Sequence, residues 1–470
     1  MIIGQPLLTY KDSQPNKPAI ITNSRIVTYQ DMTIHIASIQ SYLMSKLGTG
    51  SEIRIALKLG NEPAFLETYF AAILLGYQVI PIDPKWTKAE LEHVLDSSRP
   101  NLIVNSHVYQ EIISHPSTSI EAIATPLDIF YIGFTSGSTG TPKGFKRHHQ
   151  SWTDSFAGCT EAFELNSHDI YSAPGPLCHS LSLFAATYAI HTGATLLLSE
   201  KFQVLELLQS LVTERVTVLF VVPTMLQAMI NELETRQIPS VTRILSSGAK
   251  WNLSTKDSIR ELFPYAERIE YYGASETSFI TYLNEAGYLV KPQSVGKAFP
   301  GVEVIVRNKD GKEANVNEVG LLYIRSTMIF SGYLHDEEQP ALNEITVGDL
   351  AYIDEEGYIT LVGREKNMII SGGLNIYPEE IELHLKKLQS IEEVVVTGIE
   401  DDYWGEKVVA FIKWKHNQNI NEENLKKHCL TGLAAFKCPK AFYEIKDVPL
   451  TSSGKVDRKK LFNNILELRK

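Results

Sequence analysis

Apolar and polar positions change their period along the chain. From Ile53 to about Tyr272, apolar runs the length of a strand alternate with longer segments whose apolar residues recur every three or four positions. IRIALKL (53–59) precedes EPAFLETYFAAILLG, which reads as an amphipathic helix, and YQVIPID (77–83) precedes TKAELEHVLDSS, which opens with a Thr87/Glu90 capping box. The alternation returns in ATLLLSE, FQVLELLQSLVTE, VTVLFVVP, TMLQAMINELE and RILSSGA. Such a series predicts parallel-rich sheets with crossover helices, and two series predict two similar α/β layers. Residues 295–362 carry turn signals such as NKDGK and DEEGY between short strands, and so read as a β-rich subdomain. From Gly363 onward the helices YPEEIELHLKKL and NEENLKKHCL and the strands EVVVTGI and KVVAFIKWK, with a closing helix from Val456, make a compact α+β unit. The expected division is therefore 1–364 and 365–470, the second part a mobile lid.

Charge sharpens that boundary. The net charge is −11, yet the residues from Lys366 onward hold 17 Lys and Arg against 15 Asp and Glu, so the excess acid lies entirely before them. An acidic chain lacks the basic face that nucleic acid requires. The longest apolar runs, such as Val216 to Val222, are too short to span a bilayer, and the first residues lack the basic-then-apolar order of a signal peptide. A cytoplasmic protein with no membrane span is expected. Cys159, Cys178, Cys429 and Cys438 form no metal or redox spacing and read as reduced, structural residues.

Candidate chemistry begins at FTSGSTGTPKG (134–144). A nucleotide P-loop needs Gly and Lys adjacent at a helix start, whereas Pro142 precedes Lys143 here; a dinucleotide fingerprint needs GxGxxG, which these glycines do not form. What remains is an apolar strand running into a loop of hydroxyls and glycine amides that ends in a cation. On composition alone this suits either a flexible surface loop or an anion-binding loop.

The stretch resembles the phosphate-binding loop of the adenylate-forming superfamily, and YYGASE, VGDLAYIDEEGY, GREKNMIISGGLNIYPEEIE and PLTSSGKVDR resemble further motifs of that superfamily in the same order. The resemblance runs from about Thr28 to Lys460. It implies that Thr135, Ser136, Gly137, Ser138, Thr139, Gly140 and Lys143 hold phosphate, that Tyr272 and Gly273 lie along adenine with Gly248 and Ala249, and that Ser275 meets the α-phosphate. Glu276 becomes the magnesium ligand, Asp349 the acceptor for the ribose hydroxyls and Arg364 its partner. Lys455 would bridge the acid carboxylate and the α-phosphate, Gly372 and Gly373 would admit the coenzyme A thiol, and Lys366 would be the hinge on which the lid turns between half-reactions. Asn367 stands where the family usually has an acid.

Members of the superfamily differ in the acyl acceptor. Amino-acid-activating domains carry an Asp near the segment matching PLCHSLSL, where this chain has none; His179 instead occupies a place where acyl-CoA synthetases often carry a histidine near the carboxylate. The expected function is an AMP-forming carboxylic acid:CoA ligase using ATP, Mg2+ and CoA. Small residues at Ser182, Ala185, Ala186, Gly248 and Ala274 favour an aliphatic acid. A ligase loading a carrier-protein thiol and a catalytically silent nucleotide-binding protein are the alternatives.

Overall fold

The computed structural model describes residues 1–116, 119–136, 142–232, 237–248, 250–251, 253–335, 344–401, 403–415, 418–449, 456 and 460–461. The chain divides into two compact units, one built from Met1–Gly137, Thr141–Val304 and Ile324–Ile345, the other from Ile305–Tyr323 and Thr346–Lys470.

Two sheets organise the first unit. One runs in the order Leu102–Asn105, Arg54–Lys58, Gln78–Pro81, Ile129–Ser136, all parallel, and closes with the antiparallel strand Pro142–His148. The second has nine strands, of which Glu267–Ala274, Arg243–Ser246, Val218–Val221, Ile170–Ser172, Thr195–Leu197 and Pro18–Ile21 are parallel neighbours. Strands covered on both faces have no polar side, and Val218–Val221 is accordingly buried at every position. The Thr87/Glu90 box is present: Glu90 N–H donates to Thr87 Oγ1 at 3.3 Å, and Thr87 N–H to Glu90 Oε2 at 2.8 Å.

The helix Pro63–Leu74 departs from its expected amphipathic character. All 12 of its residues are buried. It meets the helix Ser180–His191, buried from Ser182 to His191, where the Thr187 and Tyr69 hydroxyls lie 3.4 Å apart. A helix apolar all round belongs in an interior. The exception on its surface, Glu67, is fully buried and is held by His35 Nδ1 at 2.8 Å and by the Tyr109 hydroxyl.

The second unit holds an antiparallel sheet ordered Glu303–Arg307, Gly320–Arg325, Asp349–Ile353, Ile359–Arg364, followed by a five-stranded sheet dominated by the pair Ile391–Asp401 and Gly405–Trp414. Strand alternation splits that second core. Val394 and Val396 face the helices Pro378–Leu385 and Glu422–Leu430, whereas Val395 joins Val409, Phe411 and Leu461 on the opposite side. The closing helix expected from Val456 lies largely outside the described residues. The four cysteines are free, and among the described residues no helix is long and apolar enough to cross a membrane.

Candidate functional site

In a parallel sheet the loops that leave the carboxyl ends of the strands gather on one edge, where helix N-termini and backbone amides can meet a ligand. The strands ending at Pro81, Ser136, Ser172, Ser246 and Ala274 lead respectively into Asp83, the 134–144 motif, His179, Gly248 and Glu276. Nearly all the motifs found in the first unit therefore start from that edge.

The motif around Lys143 is a hairpin rather than a strand-to-helix turn. Thr135 pairs with Lys143 and Ser136 with Pro142, as a proline ahead of the lysine demands. Gly137, Ser138, Thr139 and Gly140, at its tip, lie outside the described residues. Residues 331–334 bond the free edge of the returning strand: Ser331 N–H to Lys146 O at 2.8 Å and Leu334 N–H to Gly144 O at 2.8 Å. This registers Tyr333 beneath Lys143, whose Nζ sits 3.3 Å from the ring centroid. The Tyr333 hydroxyl in turn donates to Glu276 Oε1 at 2.9 Å. A cation, an aromatic face and a carboxylate thus form one connected chain.

YYGASE ends the strand Glu267–Ala274 with a bulge between Tyr272 and Gly273. A Cβ on Gly273 would stand 1.9 Å from the Ser278 carbonyl oxygen, so only glycine allows the strand to turn there. Past the bulge, Ala274 N–H donates to Thr277 Oγ1 at 3.0 Å and Phe330 N–H to the Glu276 carbonyl at 2.8 Å. Arg147, unremarked in the sequence, fixes this turn: its guanidinium donates to the Ser275 carbonyl at 2.8 Å and to that of Met328. Burial lowers its pKa to about 10, with Glu276 opposing the shift. The signal was the period of two that carries the strand from buried Phe145 to Arg147 on the same face. Glu276 could offer a cation a hard oxygen donor, steadied by the Tyr333 hydroxyl. This fits an ion that takes one or two carboxylates and completes its shell with phosphate and water.

At the start of the helix Ser180–His191, His179 Nε2 lies 3.0 Å from Asp83 Oδ2. The hydrogen bond from His179 holds the Asp83 carboxyl below its ordinary range despite desolvation, and the Lys85 amide adds a second bond. Burial pushes the neighbouring Cys178 thiol up to about 12, so it is protonated near neutrality. Ser180 Oγ meets the Tyr131 hydroxyl at 3.2 Å. Gly248 is exposed with φ +99° and open space where a Cβ would stand; Ala249 lies outside the described residues.

The remaining candidates belong to the second unit. Asp349 and Arg364 are cross-strand partners, and Arg364 Nε reaches the buried Asp349 Oδ1 at 2.8 Å. The sheet register sets side by side the two residues that the resemblance pairs at the nucleotide. Lys366 occupies a short 3-10 turn, Glu365–Asn367, directly after that strand, and Asn367 Nδ2 donates to Glu379 Oε1 at 3.1 Å. Gly372 and Gly373, at φ +58° and +78°, form the two-residue turn of the hairpin that pairs Ser371 with Leu374. Lys455 lies outside the described residues.

Comparison with known proteins bears on the family and the fold. The profile of the AMP-binding enzyme family matches residues 9–334, and that of the AMP-binding enzyme C-terminal domain matches residues 380–455. The uncharacterized acyl-CoA ligase YhfT of Bacillus subtilis is 36% identical, over 98% of this chain and 98% of its own. ATP-bound MatB from Rhodopseudomonas palustris shares the fold with a TM-score of 0.89 at 24% identity, covering 100% of both chains. MenE of Bacillus subtilis, o-succinylbenzoate CoA synthetase in complex with the acyl-adenylate intermediate OSB-AMP, superposes with a TM-score of 0.86 at 25% identity over 98% of each chain. With both domain profiles matched in order and a full-length relative above 30% identity, the chain belongs to the AMP-binding enzyme family of the adenylate-forming superfamily.

Proposed function

We propose that the protein is an AMP-forming carboxylic acid:CoA ligase that activates an aliphatic acid with ATP and passes the acyl group to the CoA thiol. The observation that carries this reading is the Lys143–Tyr333–Glu276 chain, a cation, an aromatic face and a carboxylate joined where the strands ending at Ser136 and Ala274 give out, which suits a triphosphate with its metal ion. In the first half-reaction the acid's carboxylate oxygen attacks the α-phosphorus and pyrophosphate leaves. Two anions approach each other in this step, so cations placed where charge builds up lower its barrier. Lys143 serves the phosphates, Glu276 would hold Mg2+, which would neutralise phosphate charge, and Lys455 bridges carboxylate and α-phosphate. In the second half-reaction the thiol sulfur attacks the acyl carbon and AMP departs.

The Asp349–Arg364 pair supports a ribose role, because a carboxylate held in place by a guanidinium presents acceptor oxygens, the groups that hydroxyl donors require. The Asp83 carboxylate is engaged by His179 and is not left to pair with a substrate ammonium, which supports a plain acid over an amino acid. Small buried Ser182, Ala185 and Ala186 support an aliphatic chain. The division at Lys366 and the turning lid belong to the same reading.

A panel of acids from acetate to palmitate, with aryl acids alongside, tests it through CoA-dependent AMP formation. An aliphatic acid should give the highest kcat/KM; an aryl acid would replace the substrate class, and thioester formation only on a carrier protein would replace the acceptor. Lys455→Ala should slow adenylation roughly 100-fold while thioester formation from supplied acyl-adenylate is spared. Equal loss in both steps would remove the bridging role.

A further inference from the structure

Asp83 lies outside every motif that pointed to the site, yet its carboxylate joins two sheets at their carboxyl edges. It follows the strand Gln78–Pro81 of the first sheet, and its partner His179 follows the strand Ile170–Ser172 of the second, 96 positions later in the chain. The carboxylate is fixed at both oxygens, Oδ1 by the Lys85 amide at 2.9 Å and Oδ2 by His179 Nε2 at 3.0 Å. Its side chain is 14% exposed, whereas that of His179 is 56% exposed. The pair is therefore anchored on the aspartate side and open on the histidine side.

Proton inventory decides what the open side offers. The depressed carboxyl is ionised near neutrality and has no proton to give, so the proton shared at 3.0 Å belongs to Nε2. Among the described residues, the charged or titratable groups around the pair include Lys85, the protonated Cys178 thiol and, through Ser180, the Tyr131 phenol, itself pushed up to about 12 by burial. Among the described residues, none is within hydrogen-bonding reach of His179 Nδ1. Nδ1 is the atom left for a ligand.

We propose that Asp83 is a positioning residue for acid activation: it fixes the His179 ring and reserves Nδ1 for the substrate carboxylate. This rests on the ligase reading above. A carboxylate presents only acceptors, so Nδ1 must meet it as a donor while Nε2 stays on Asp83. The Asp83 carboxylate holds the ring from its far side as the acid docks. When the mixed anhydride forms, the acid's negative charge is gone and the same Nδ1–H faces a neutral carbonyl oxygen. The dyad would thus favour the ionised acid over its neutral esters and amides, and would hold it for in-line attack.

Steady-state pyrophosphate release, with the best acid of the panel, tests the proposal through a double-mutant cycle. Asp83→Ala should raise KM for the acid about 10-fold, the scale of one charge-assisted hydrogen bond, while KM for ATP stays within about twofold. Asp83→Glu, which keeps the anion, should recover most of the loss. In a His179→Ala background, Asp83→Ala should add less than about twofold, because it acts only through the histidine. Additive losses in the double variant, an unchanged KM in Asp83→Ala, or an equal rise in KM for ATP would overturn the positioning role while leaving the ligase reading intact. A wild type inert toward every acid would overturn both. Thermal unfolding of each variant separates these results from simple loss of fold.

Discussion

Two buried histidines do a job that the motifs never touch. Ile3 N–H donates to His149 Nδ1 and Gly4 N–H to His191 Nδ1, each at 3.1 Å, so both rings must present a lone pair and stay neutral. Burial lowers their pKa values to about 3 and about 4. A histidine whose folded pKa is depressed binds more protons when unfolded, so its stability contribution is full above the unfolded value near 6.5 and is lost as pH falls toward the folded value. By pH 5.5 each should cost about 1 kcal/mol. His35 has the opposite sign: its bond to Glu67 raises its pKa, and its contribution is present at low pH and fades as pH rises through the folded value. Thermal melts between pH 5 and 8 should show a fall on the acid side that flattens in His191→Asn. An unchanged acid limb in that variant would mean the loss arises elsewhere. Arg147 supplies a second residue-scale test. Lys has no fork to span the Ser275 and Met328 carbonyls, so Arg147→Lys should lower the melting temperature and raise KM for ATP roughly 10-fold. Unaltered ATP kinetics would confine Arg147 to packing.

At the scale of elements, the hairpin at Gly372 and Gly373 separates conformation from passage. Both residues need positive φ, but a Cβ on Gly372 would sit 3.2 Å from the Trp404 ring, whereas one on Gly373 meets nothing within 4 Å. Asn tolerates the left-handed region, so Gly373→Asn should keep the melting temperature while placing a side chain in that open space. If thiol substrate passes there, thioester formation should fall roughly 10-fold with adenylation spared. Unchanged thioester formation would leave the glycines as turn residues and nothing more. Legibility in the sequence followed the same line between local and distant. The Thr87/Glu90 box, the strands 53–59 and 216–222 and the Asn421-led helix were readable because their causes lie within a few residues. Burial of Pro63–Leu74 on every side was not, because a second helix more than 100 positions away supplies the other wall. Tyr333, Arg147 and Asp83 escaped for the same reason: their partners in the site come from other strands and loops, and only the sheets bring them near.

For the whole molecule, the path of the chain matters as much as its two cores. The chain leaves the first unit near Ile305, returns near Ile324 and leaves again near Thr346, so the four-stranded antiparallel sheet is assembled from two separated stretches of sequence. In that sheet the strand Gly320–Arg325, with Leu322 and Ile324 fully buried, is flanked by Asp349–Ile353. A fragment ending at residue 345 would strip that flank away. It would leave Gly320 and Leu321 without Ala351 and Leu350, an exposed edge ready to pair with another molecule, although Ile324 would keep its bonds to Ile345. A fragment ending at residue 365 keeps all four strands. Light scattering should therefore find the shorter fragment self-associating and the longer one monodisperse, and the reverse order would refute the argument. Any attempt to exchange C-terminal parts between relatives inherits the same rule: the junction that respects the sheet lies after Arg364, some twenty residues beyond the point where the chain last crosses over.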